Sequence, residues 1–106
     1  MVAVMIHNVY FWLKGDLSTE QVLLFEQELM ALQGIEYLVH GFVGKPAATE
    51  ARPVTDHTFS YSLLLHFKDM ADHDFYQKEC PKHKRFVDTC NMLWERVLVY
   101  DTSPIH

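Results

Sequence analysis

Val2-Ala-Val-Met-Ile-His-Asn-Val-Tyr-Phe-Trp-Leu13 decides how this chain must fold. With the two-residue period of a strand, Val2, Val4, Ile6, Asn8, Tyr10 and Trp12 fall on one side, and Ala3, Met5, His7, Val9, Phe11 and Leu13 on the other. Both sets are mostly apolar. A strand with one wet face alternates apolar and polar residues cleanly, so this one predicts cover on both faces. A secretory signal is a poorer reading: the stretch has no basic leader, contains His7 and Asn8, and runs into no small-residue cleavage site.

Downstream, Gly15-Asp16 turns the chain, and Ser18 followed by Gln21 has the spacing of a capping box. The helix it opens carries Val22, Phe25, Leu29 and Leu32 on one stripe, with Gly34 placed to supply a left-handed terminating position. Ile35 to Val43 reads as a second strand closed by Gly44, and Thr58 to Phe67 as a third, with Phe59, Tyr61, Leu63, Leu65 and Phe67 on one face. Between them, residues 45–57 hold Pro46 and Pro53 without periodicity, the length of a lid, an interface arm or a disordered segment. Asp69 can cap a helix to about Glu79. Pro81 suits the first position of another, whose apolar line is His83, Phe86, Val87 and Cys90. Leu93 to Tyr100 is the last strand.

The resulting order, β-α-β-β-α-β, predicts an α+β, ferredoxin-like antiparallel sheet with helices on one face. The opposite face is also apolar or uncharged. A second copy of the sheet is its simplest cover, which predicts a homodimeric α+β barrel.

The totals agree. A chain of 106 residues fits one domain, 1–106, and 49% apolar with 22% charged residues is the composition of a folded protein. A net charge of −5 disfavours nucleic acid, whose phosphates are bound by neutralising them. No apolar run reaches the roughly 18 to 20 residues of a membrane span. Cys80 and Cys90, separated by ten residues of predicted helix, would lie about 15 Å apart, too far for a disulfide. Free thiols point to the cytoplasm.

The sharpest candidate for chemistry is His83, an imidazole on the apolar side of a helix whose other side carries Lys82, Lys84 and Arg85. A core histidine bonded to a neighbour is the plain alternative. His7 sits likewise on an apolar strand face, and with Tyr61 and Tyr76 the two imidazoles would make a polar cluster inside apolar walls. A His base with a Tyr donor suits proton abstraction next to a carbonyl, the phenol holding the enolate oxygen. There is no Gly-rich phosphate loop, Cys-x-x-Cys or His-Glu-x-x-His, so neither cofactor nor metal is expected. Asp72-His73-Asp74 reads as a solvated helix face, because successive helical residues point in different directions, and so does the basic run from Lys78 to Arg85.

Four segments, His7-Asn-Val-Tyr-Phe-Trp-Leu-Lys14, Leu65-His-Phe-Lys-Asp69, Cys80-Pro-Lys-His83 and Trp94-Glu-Arg-Val-Leu-Val-Tyr-Asp101, resemble in order and spacing the stress-responsive A/B barrel (Dabb) domain family. The resemblance spans nearly the whole chain and implies a dimeric α+β barrel. It is also similar, more distantly, to a plant polyketide cyclase of that family that works without a cofactor through a Tyr and a His. By that similarity the catalytic pair falls on Tyr76 and His83, the first-strand pocket His on His7, and the pocket-wall aromatics on Phe25, Phe86 and Trp94. The chain departs from the pattern in having Cys80 where the family has His, one residue inserted between Tyr76 and Cys80, and Tyr61 where the cyclase has His, so the same substrate is not implied. Three readings follow: a homodimer with a small apolar pocket per subunit for a carbonyl-bearing or aromatic molecule, a cofactor-independent cyclase or lyase, or a purely structural, stress-protective dimer.

Overall fold

The computed structural model describes residues 4–106. The elements are β1 (Met5–Leu13), α1 (Thr19–Leu32), β2 (His40–Gly44), β3 (Tyr61–Phe67), α2 (Met70–Lys78), α3 (Pro81–Cys90) and β4 (Trp94–Thr102). Four antiparallel strands form one sheet in the order β2-β3-β1-β4. The fold is ferredoxin-like α+β, and all three helices contribute buried side chains to its core.

β1 is central, and its alternation decides the layering. Met5, His7, Val9 and Phe11 are buried beneath the helices, against Leu63, Leu65 and Phe67 of β3 and Phe25, Leu29 and Leu32 of α1. A large apolar side chain buried this fully stabilises by roughly 1.5–3 kcal/mol relative to exposure. Ile6, Asn8, Tyr10 and Trp12 point the other way, joined by Leu64 of β3 and by Leu98 and Tyr100 of β4 through the strand register. Val2 and Ala3 of the expected first strand lie outside the described residues.

The capping box forms as its spacing predicts, with the Ser18 hydroxyl accepting from Gln21 N–H and the Gln21 side chain accepting from Ser18 N–H. Gly34 does not take a left-handed conformation. The helix instead tightens, the amides of Gln33, Gly34 and Ile35 donating three residues back to Met30, Ala31 and Leu32. That tightening shortens the expected second strand, because Ile35 is drawn into the core and the next turn closes with Leu38 N–H on the Ile35 carbonyl. Strand pairing starts only at His40. Gly44 is the last residue of that strand. β3 begins at Tyr61, not Thr58, and β4 runs on to Thr102.

Residues 45–57 carry no regular structure. The chain that follows is tied to β1: Ser60 N–H donates to the Phe11 carbonyl, the Ser60 hydroxyl accepts from Leu13 N–H, and the Trp12 indole donates to Thr58.

Candidate functional site

Three local features build the site. Pro81 starts α3 directly after α2, and the short α3 turns Phe86 and Cys90 fully inward with His83 and Val87 at the margin of the same face. Tyr76 is the one fully buried side chain of α2. A register shift where Leu13 pairs with Trp94 bends β4, so that Trp94 joins the face of Val97 and Val99, where plain alternation would have placed Glu95. An extra residue in one strand commonly re-aims a side chain in this way.

These elements frame a half-open cavity of about 150 Å³ between the sheet and α2–α3, lined by His7, Val9, Phe11, Leu63, Tyr76, Gln77, His83, Phe86, Val87, Trp94, Val97 and Val99. A groove on the outer side of α2 and α3 shares Gln77, His83 and Val87 with it, so His83 stands between the interior and solvent. A depression of about 310 Å³ walled by Tyr10, Trp12, Asp56, Phe59, Leu98 and Tyr100 lies on the open sheet face and holds none of these groups. No residue of 45–57 lines the cavity.

The rings of Tyr76 and His83 are 4.4 Å apart, centroid to centroid, and His7 lies 5.8 Å from Tyr76. Burial, reinforced by the nearby His7, lowers the pKa of His83 and favours a neutral imidazole with a free lone pair. Burial raises the Tyr76 phenol, keeping it a donor. His7 donates from Nδ1 to Asp101 Oδ1 at 2.5 Å, and its pKa is still lowered because desolvation outweighs the carboxylate. The set therefore offers one base and one neutral donor on a shared wall, beside an imidazole held by a carboxylate.

Of the residues singled out in the sequence, His7, Tyr76, His83, Phe86 and Trp94 line this cavity. Phe25 does not reach it. That ring is wholly buried behind Phe11, Phe86 and Trp94, at centroid distances of 5.3, 5.7 and 6.4 Å. Tyr61 is elsewhere: it pairs with Phe11, four residues along β1 from His7, and its hydroxyl donates to Glu26 in a separate depression with Met30, Val43 and Lys45. Four strand residues span roughly 13 Å, which is why two residues on one sheet face need not share a site.

Two residues were missed. Asp101 faces His7 because the β1–β4 register pairs them directly. His73 is no part of a solvated face: it packs on His7 and Phe67 at 5.2 and 5.7 Å, while Asp72 turns to Lys68. Cys80 and Cys90 are both buried and unbridged, and burial lifts the Cys90 thiol to about 11.

The model of the stress responsive A/B barrel domain matches residues 5–104. The chain belongs to that family. Among solved structures, a Dabb family protein with a ferredoxin-like fold from Mesorhizobium loti is 23% identical, with a TM-score of 0.76, covering 98% of this chain and 99% of its own. A dimeric ferredoxin-like protein of unknown function from Thermobifida fusca has the same TM-score at 12% identity, covering 98% and 93%. The hydroxynitrile lyase from Passiflora edulis is 18% identical, with a TM-score of 0.75, over 98% and 95%. At such identities these structures share the fold with the chain. No relative among the curated proteins matches it.

Proposed function

We propose that this family member works as a homodimer in which each subunit holds one small carbonyl-bearing or aromatic molecule in the cavity between the sheet and α2–α3. The observation that carries the reading is that His83 and Tyr76, in ring contact, line the same apolar cavity. Small-molecule sites combine apolar walls with a few convergent polar groups. A volume of about 150 Å³ suits an occupant near the size of a single ring, since an engineered apolar cavity of about 150 Å³ in another protein holds benzene.

Dimerisation is supported by the uncovered apolar sheet face and by the dimeric description of solved neighbours. The two unbridged thiols favour a reducing compartment such as the cytoplasm. No helix of the described residues is long and apolar enough to cross a membrane.

A second reading, a cofactor-independent lyase or cyclase, is favoured by the protonation states: a neutral His83 as general base and a protonated Tyr76 as hydrogen-bond donor to a developing oxyanion. That a hydroxynitrile lyase shares the fold agrees with chemistry on a small molecule. A purely structural dimer would fill this space with its own side chains, which the cavity argues against. Native mass spectrometry of the purified chain tests the binding reading without a guess at the ligand: it should give a dimer carrying a small additional mass on each subunit. His83→Ala should lose that mass. If the variant retains it unchanged, the imidazole only packs the core.

A further inference from the structure

The cluster beside the cavity holds a feature that small-molecule binding does not use. His7 from β1, His73 from α2 and Asp101 from β4 each bring a donor atom to within 4.8 Å of the other two. Two imidazoles and a carboxylate from three separate elements meet there, far apart in sequence. His73 supplies the second observation: its Nε2 is buried and bonds to nothing among the described residues. Its other nitrogen, Nδ1, lies 3.2 Å from Asp74 Oδ1. Donation of the Nδ1 proton to that carboxylate leaves Nε2 with an unused lone pair. Metal-ligating histidines are arranged in the same way, the distal N–H held by a carboxylate so that the other nitrogen faces the ion.

We infer that His7, His73 and Asp101 form a binding site for a divalent first-row cation of the zinc class. The inference goes beyond the small-molecule reading and does not depend on it, since of the three ligands only His7 lines the cavity. Two neutral imidazoles and one carboxylate are a donor set that suits such ions, and three protein ligands leave a position open, as in catalytic zinc sites. With bonds of about 2.0–2.1 Å, ligand atoms on one ion stand roughly 3 Å apart. The His7–Asp101 pair therefore opens from 2.5 Å while His73 closes from the other side. If His7 ligates through Nδ1, its ring proton moves to Nε2 and the imidazole stays neutral. The ion then balances the Asp101 charge that His7 now meets by hydrogen bonding.

Full-length protein treated with EDTA and dialysed free of it should be titrated with Co²⁺, followed by its visible absorption, and with Zn²⁺ by calorimetry. The expected result is one ion per chain, with at least roughly tenfold weaker binding in His73→Ala and in Asp101→Asn. His40→Ala and His57→Ala, which remove histidines outside the cluster, should bind as wild type does. His73→Gln keeps most of the side-chain volume and replaces His73→Ala should the latter fail to fold by circular dichroism. Equal affinity in wild type and the His73 variant, loss in the His40 or His57 variant instead, or no binding by wild type would each overturn the inference.

Discussion

The two faces of the sheet are made by the same strands yet do opposite things. On the covered face, β1 contributes Met5, His7, Val9 and Phe11, and three helices close over them except where the cavity remains. On the open face it contributes Ile6, Asn8, Tyr10 and Trp12, with Leu64, Leu98 and Tyr100 beside them and no helix above. On the covered face His7 meets Asp101, Tyr61 meets Glu26, and Tyr76 and His83 line the cavity. The open face is nearly free of charge, Arg96 lying over the Trp12 ring at 4.2 Å, and it exposes Tyr100 and Phe42 by more than half. Apolar residues on both faces therefore carry two messages: one face is a core with a cavity in it, the other an exposed apolar surface that the proposed second copy would cover.

The largest effect should come from the covered face. Phe25→Ala removes a ring at the centre of the Phe11, Phe86 and Trp94 cluster and should cost about 3–5 kcal/mol of unfolding free energy in urea melts extrapolated to fixed protein concentration. A loss under about 1 kcal/mol would mean that the aromatic cluster does not hold the core together. Leu64→Arg, at the middle of the open face, should leave the fold intact and shift the chain to monomer in sedimentation. An uncompensated buried charge costs about 3 kcal/mol or more, or roughly a hundredfold in association. Unchanged association would place the interface elsewhere.

Acidification separates the faces more gently. Because the folded pKa of His83 lies below that of the unfolded chain, the unfolded state binds the extra proton first, so stability falls as pH drops below about 6.5. His83→Asn should therefore lose less stability than wild type between about pH 7 and pH 5. An identical slope would show that His83 titrates as freely folded as unfolded. The smallest effect belongs to Tyr61→Phe, which removes the hydroxyl donated to Glu26 but leaves that carboxylate near Lys45. It should cost about 1 kcal/mol and leave occupancy of the cavity untouched.

Most of the fold was legible because it rests on periodicity. The two faces of β1, the Ser18 capping box and the stripe of His83, Phe86, Val87 and Cys90 are local patterns, and each element appears where its pattern lies. What periodicity could not give was register. The opposition of His7 and Asp101, 94 residues apart, and the shift that turns Trp94 inward both depend on how β1 and β4 align. Tyr61 was drawn into the site by its apolar face alone, although its place along the strand puts it beside α1 and β2. His73 was dismissed because Asp72-His73-Asp74 was weighed as a linear motif, when only its middle residue turns inward. A lone His on a weakly amphipathic helix was the available signal.

The chain has two tryptophans, and they divide between the faces: Trp94 lines the cavity and Trp12 lies on the open side. Their indole N–H resonances in a ¹⁵N-labelled sample report the two faces separately. Benzaldehyde, a single ring bearing a carbonyl, should move the Trp94 signal in a saturable way and leave Trp12 in place, whereas dilution through the dimer equilibrium should move Trp12 and spare Trp94. Benzaldehyde acting on Trp12 alone, or on neither, would contradict the claim that the covered face holds a small-molecule site.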